Sequence, residues 1–193
     1  MKQIIHFTFL VALTAMLLGV GQGLSNAADE PRAALRLPPG PDNPRNSEGD
    51  FIQLKDGRMM FVYTHFTDGA GDHSKAYLAA RYSSDDGQTW TPSDTVILRN
   101  EGDWNIMSVS LLRLDDGSIA LFYLRKNSLQ DCRPLLRRSI DEGKTWSKPT
   151  EIIKAPVGYY VMNNDRVVQL KKIGSFVAPV ALHNLPAGAP PDR

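Results

Sequence analysis

The sequence predicts an all-β chain assembled from a repeated four-stranded antiparallel unit. Three observations carry that prediction. The octapeptide Ser83-Ser84-Asp85-Asp86-Gly87-Gln88-Thr89-Trp90 recurs as Ser139-Ile140-Asp141-Glu142-Gly143-Lys144-Thr145-Trp146, so both copies read Ser-x-Asp-x-Gly-x-Thr-Trp and begin 56 residues apart. The residues on either side of the two copies also align, run for run. Beyond the N-terminal apolar stretch, no long run has a helical period of apolar residues.

Taken in order, the first unit has strand-like runs at Phe51–Leu54, Arg58–Tyr63, Ala76–Tyr82 and Thr91–Leu98. The second has them at Leu111–Leu114, Ser118–Tyr123, Pro134–Arg138 and Ser147–Ile153. Asp56-Gly57 and Asp116-Gly117 are turn dipeptides between the first and second runs. Each octapeptide sits between the third and fourth runs as a hairpin connection. Its Gly supplies the positive φ, its Asp bonds local backbone N–H groups, and its Trp packs back under the loop. A third unit begins at Arg166–Leu170 and continues through Gly174 into Ser175–Leu182, with no third octapeptide.

Composition excludes several function classes. In 193 residues the hydrophobic content is 42%, enough for a core, and the formal charge is +1. With no basic run, a nucleic-acid partner is not expected. Lys2 followed by the apolar run Ile4–Val20, and Ser25-Asn26-Ala27 before Ala28-Asp29, forms a secretory signal pattern. A cleaved signal over 1–27 is expected, hence an extracytoplasmic protein with no membrane span after cleavage; the competing reading is a retained anchor. A leader over 28–46, rich in Pro, would precede the repeated domain, 47–193. Cys132 is the lone cysteine, so no intrachain disulfide forms; a buried thiol is expected. No cofactor or metal site is expected, and no acidic ligand spacing supports calcium.

The octapeptide resembles the Asp-box (BNR repeat) of sialidases, or neuraminidases. The resemblance implies an incomplete β-propeller of the six-bladed sialidase type, with about two and a half four-stranded blades. The box is then a structural hairpin on the face opposite the active site. It also implies that the chain is the first half of a longer propeller, or that an assembly partner supplies the rest.

Strand alternation places the other connections on the opposite face: Arg45 to Glu48, His65 to Ser74, Asp103 to Ser108, Arg125 to Arg133, and Asn163 to Arg166. Loops gathered near a propeller axis make a concave site. A sialoside substrate carries a carboxylate, which calls for arginine forks. By the resemblance, Arg45 stands where the family has its first triad arginine, though Arg45-Asn46-Ser47-Glu48 departs from the usual context; a surface arginine is the other reading. Asp72 stands where the family keeps its acid/base aspartate, with Asp68 as competitor. His65 and His73 flank that loop and could bond substrate or Asp72. Arg125, Asp131 and Arg133 are either pocket lining or a cross-loop ion pair. Asn164, Asp165 and Arg166 either touch substrate or cap strand ends, and His183-Asn184 is a weaker candidate.

The family's Glu, its other two triad arginines and its Tyr nucleophile come from later blades, and nothing between Gly174 and Arg193 matches them. The expectation is an exported sialidase-like glycoside hydrolase, nearest to exo-α-sialidase, acting on a glycan or sialoside-like substrate but inactive as this chain alone. The alternatives are a non-catalytic carbohydrate-binding propeller and an inert relic.

Overall fold

The structure is a computed structural model describing residues 33–170 and 174–183. The signal expected over 1–27 lies outside the described residues, as do 28–32, 171–173 and 184–193, Asn184 among them. The described residues form strands and no α-helix. In the first unit, β1 (Asn46–Gln53), β2 (Met59–Phe66), β3 (Ala76–Ser83) and β4 (Thr95–Leu98) pair antiparallel in succession. The second repeats this with β5 (Asn105–Arg113), β6 (Ile119–Ser128), β7 (Asp131–Ser139) and β8 (Thr150–Glu151). In the third, β9 (Tyr159–Val161) pairs β12 (Ala181–His183), and β10 (Val168–Leu170) pairs β11 (Ser175–Val177), making one interrupted hairpin. Parallel bridges Ala76–Asn105 and Cys132–Tyr159 join the third strand of each unit to the first of the next. The result is a curled, open all-β sheet running β1-β2-β3-β5-β6-β7-β9-β12, as the repeat predicted.

Several boundaries differ from the sequence reading, each for a local reason. The third unit starts at Tyr159, not Arg166, and β1 starts at Asn46, not Phe51. In β1 a bulge, and in the third unit the irregular segment 162–167, interrupts the alternation that pattern reading depends on. Glu48, Ser108 and Asp165 have φ of 49°, 61° and 50°; the first two are left-handed non-glycine residues at the same register position of their units, and the third lies between β9 and β10. Pairing shifts there between Ser47 and Asp50 and between Met107 and Ser110. β4 and β8 are shorter than predicted, and both start after a proline, Pro92 or Pro149, that lacks the ladder N–H. His65 belongs to β2, while Arg125 and Arg133 lie in β6 and β7, whose ladder continues to Ser128–Asp131.

The bulges are stitched together across units. Ser108 Oγ donates to Glu48 Oε2 at 2.9 Å, Asn164 Nδ2 to Gly49 O at 3.1 Å, and Asp165 N to Val109 O at 3.1 Å. Leu111 N donates to Asp50 Oδ2 at 2.7 Å. The last three of these bonds answer backbone groups around the interrupted ladder.

Alternation along β2 and β6 builds two core layers. Met60 and Val62 join Ile52, Leu54 and Leu78 against Ile106, Ile119, Leu121, Tyr123 and Leu135 of the second unit. From the other face of β6, Ala120, Phe122 and Leu124 pack with Cys132, Met162 and Val167 toward the third hairpin. Each large side chain so buried contributes about 1.5–3 kcal/mol. Cys132 is buried, and burial pushes its thiol up to about 12.

The Ser, Asp, Gly and Thr of the two octapeptide hairpins share one bonding scheme. Ser83 Oγ accepts from Gly87 N and donates to Asp85 Oδ1, each at 2.8 Å, while Thr89 N and Oγ1 donate to Asp85 at 2.8 and 2.6 Å. Ser139, Asp141, Gly143 and Thr145 repeat the pattern. These donors hold the Asp85 and Asp141 carboxylates down to about 2. Gly87 and Gly143 have φ of 82° and 81°, and the residue before each, Asp86 or Glu142, is left-handed too. Two consecutive positive φ values fit a tight hairpin turn with the strands' own twist.

Candidate functional site

The sheet has two rims. One carries the Asp-Gly turns and both octapeptides, tied together where Glu142 Oε2 accepts from Lys55 N at 2.9 Å. The other carries the starts of β1 and β5 and the connections that follow β2 and β6.

On this second rim, Arg45 directly precedes β1 and Asp72 lies in the connection between β2 and β3. Arg45 Nη1 donates to Asp72 Oδ1 at 2.5 Å and to Ala70 O at 3.0 Å. The guanidinium carbon lies over the Phe66 ring, 4.6 Å from its centroid, a cation–π contact. The Arg45 side chain is 28% exposed and that of Asp72 is 59% exposed, so the pair is open to a ligand. The hydrogen bond from Arg45 is the largest cause holding the Asp72 carboxyl below its usual range, with burial opposing it. A hollow of about 370 Å³ lies beside it, lined by Asp68, Gly71, Asp72, His73 and Ser74.

The other sequence candidates divide. Asp68, the competing acid, is used within the loop, where its Oδ1 accepts from Lys75 N at 2.6 Å. His73 packs its ring 4.4 Å from that of Trp104, beside Asp72 in the chain. His65 is not brought to Asp72. Alternation along β2 turns it to the face of Tyr63, where its Nδ1 lies 2.8 Å from Asp94 Oδ2 and its ring stacks on Tyr77 at 4.5 Å. The Asp94 carboxylate also accepts from Tyr63 Oη at 2.6 Å and Arg81 Nε at 2.5 Å.

Arg125, Asp131 and Arg133 form an ion-pair network. Arg133 Nε meets Asp131 Oδ1 at 2.6 Å, and Arg125 and Arg133 reach Glu151 at 2.8 and 3.2 Å. Asn164, Asp165 and Arg166 take part in the stitching of the bulges; Arg166 N donates to Ser110 Oγ at 3.3 Å. His183 ends β12 with its ring 5.9 Å from that of Tyr159. Among the described residues, no group of three His, Cys, Asp or Glu is placed to hold a metal ion. Nor is any helix among them long and apolar enough to cross a membrane.

With this geometry established, solved structures supply the comparison. A protein of unknown function from Dyadobacter fermentans aligns with a TM-score of 0.58 at 20% identity, over 72% of this chain and 46% of its own. Trypanosoma rangeli sialidase, complexed with 2,3-difluorosialic acid as a covalent intermediate, aligns with a TM-score of 0.50 at 20% identity. That match covers 71% of this chain and 26% of the sialidase. The fold is sialidase-like. This chain spans about half the length of the first protein and about a quarter of the second. No model of a protein family matches the sequence, and no curated protein does.

Sequence reading missed two residues beside the pair. Asn105 starts β5 and Lys126 lies near the end of β6, and both are buried. The available signal was a phase argument: Ala120, Phe122, Leu124 and Lys126 fall on one face of a strand whose apolar members form core.

Proposed function

We propose that the rim bearing Arg45 and Asp72 binds an acidic glycan. In this reading the chain is part of an exported, sialidase-like glycoside hydrolase, with exo-α-sialidase as the nearest activity. On its own it binds substrate without turning it over. The observation that carries the proposal is the solvent-open Arg45–Asp72 ion pair on the rim opposite both octapeptide hairpins of a sialidase-like sheet.

The chemistry follows from competition for one guanidinium. A substrate carboxylate matches the planar fork of Arg45 and displaces Asp72 from it. Asp72, now covered by sugar and without its cationic partner, moves up in pKa toward the range of a group able to protonate a glycosidic oxygen. The tyrosine-nucleophile exception to two-carboxylate glycosidases suits such a substrate, because an anomeric carboxylate repels a carboxylate nucleophile.

The test pairs glycan-array binding with turnover of a fluorogenic sialoside, using the 193-residue chain. Saturable binding of sialylated glycans, weakened about tenfold or more by Arg45→Ala, is expected without fluorophore release. Binding indifferent to Arg45→Ala would sink the proposal.

One observation favours a second reading. In the unliganded chain Asp72 is held as a carboxylate, the wrong state for an acid. A non-catalytic glycan-binding sheet uses Asp72 only to hold Arg45 in place. In that case Asp72→Asn leaves Arg45 free and binding equal or tighter, and no longer form of the protein cleaves a sialoside.

A further inference from the structure

The connection bearing Asp72 belongs to the first unit, yet the second unit fastens it. Asn105 Nδ2 donates to Asp72 O at 2.9 Å and to Ser74 O at 2.8 Å. Lys126 Nζ donates to the same Asp72 O at 2.9 Å. In return Lys75 Nζ reaches Asp103 O, and His73 packs on Trp104. One backbone carbonyl, that of Asp72, therefore accepts from two buried side chains of the neighbouring unit.

The repeat shows how unusual these two side chains are. Asn105 pairs with Lys126 in the second unit at the register where Arg45 stands opposite Phe66 in the first. A phenylalanine in one copy is thus a lysine in the other, although both positions are buried. Lys126 is 3% exposed, and among the described residues no carboxylate forms an ion pair with it. Its ammonium faces the Asp72 carbonyl and, at 5.4 Å, the Tyr159 ring. Burial pushes its pKa down from the ordinary lysine value. Burying an ammonium without an ion-pair partner costs several kcal/mol, which an apolar residue here would avoid.

We infer that Asn105 and Lys126 of the second unit are positioning residues for the Asp72 carboxylate of the first. They hold its main chain so that the side chain meets Arg45. The significance of this for glycan binding rests on the function proposed above, but the geometry can be tested without it.

The experiment follows the Asp72 side-chain carboxyl by carbon NMR through a pH titration, together with amide exchange over residues 71–75, in the full chain. In the unsubstituted protein Asp72 titrates below the ordinary aspartate range. Asn105→Leu removes two carbonyl bonds without changing charge. Asp72 should then titrate closer to that range, and amides 72–75 should exchange about tenfold or more faster. Lys126→Met should act in the same direction, and Lys126→Arg, which keeps a donor, should restore most of the effect. Unchanged chemical shifts in the two octapeptides establish that the variants fold.

A shift in Asp72 with Lys126→Met but none with Asn105→Leu means that the lysine acts only through its charge, and overturns the inference. If Asn105→Leu loosens Asp72 while binding of sialylated glycans is untouched, the inference holds and the role proposed for Asp72 fails.

Discussion

In both octapeptide hairpins a serine hydroxyl accepts from a glycine amide at 2.8 Å, and an aspartate gathers one threonine. The residue between Asp and Gly behaves differently in the two copies. Glu142 of the second copy forms a two-point pair with Arg113, at 2.6 and 2.7 Å, and accepts from Lys55 N of the first unit. Asp86 of the first copy is exposed and makes no such bond among the described residues. The same contrast holds for the buried tyrosines. Tyr123 and Arg137 share Glu101 from the connection between units, whereas Tyr63 and Arg81 share Asp94 of their own unit. The bonds among the Ser, Asp, Gly and Thr of a hairpin thus belong to its sequence. Its outward groups become structural only where another unit stands against them.

That contrast can be broken most severely at the methionines beneath the hairpins. Met60 is fully buried and is a nearest neighbour of the position a Cβ would take at Gly143; Met59 is the half-buried counterpart at Gly87. Met60→Ala should lower stability by about 2–5 kcal/mol in denaturant unfolding, and Met59→Ala by under about 1 kcal/mol. Equal losses would mean that the two hairpins are seated alike.

Asp50 gives the next largest effect. Its position in the second unit is taken by Ser110, which does not titrate. Burial is the largest cause raising Asp50 from 3.8 to about 6, despite bonds from Leu111 N and Phe51 N. A raised carboxyl pKa means that the folded state holds the proton more tightly. The stabilisation is therefore fully present below about pH 4 and is lost as pH rises through about 6. The expected decline is on the order of 2–3 kcal/mol. Asp50→Asn should flatten this part of the stability profile, while Ser110→Ala should leave it in place.

The smallest effect is expected at Glu142, which the Arg113 hydrogen bond lowers from 4.5 to about 2. Its contribution is present above about pH 4.5 and is lost as pH falls through about 2. Glu142→Gln should cost about 1 kcal/mol at pH 7, since part of the pair faces water. Asp86→Asn should change nothing measurable. A comparable loss at Asp86 would show that the first hairpin also has a partner.

Much of the fold was legible because its signals are local. The octapeptides, the Asp-Gly turns and the alternation of β2 and β6 each depend on residues a few positions apart. The Arg45–Asp72 rim followed from alternation and the family resemblance together. Other features were hidden for identifiable reasons. Left-handed Glu48, Ser108 and Asp165 have no glycine to announce them, so β1, β5 and the third unit were read as starting late. His65 looked like loop because its polarity outweighed its place at the end of β2. Asn105 and Lys126 were read as parts of connections but lie in β5 and β6, and their partners are main-chain carbonyls that no side-chain pattern reveals.

The left-handed bulges have a further consequence. Those at Glu48 and Ser108 each insert one residue into β1 or β5 opposite a partner that has none, so the inside–outside phase reverses partway along the strand. The rule of alternation read on one side of the bulge therefore assigns the wrong face to residues on the other.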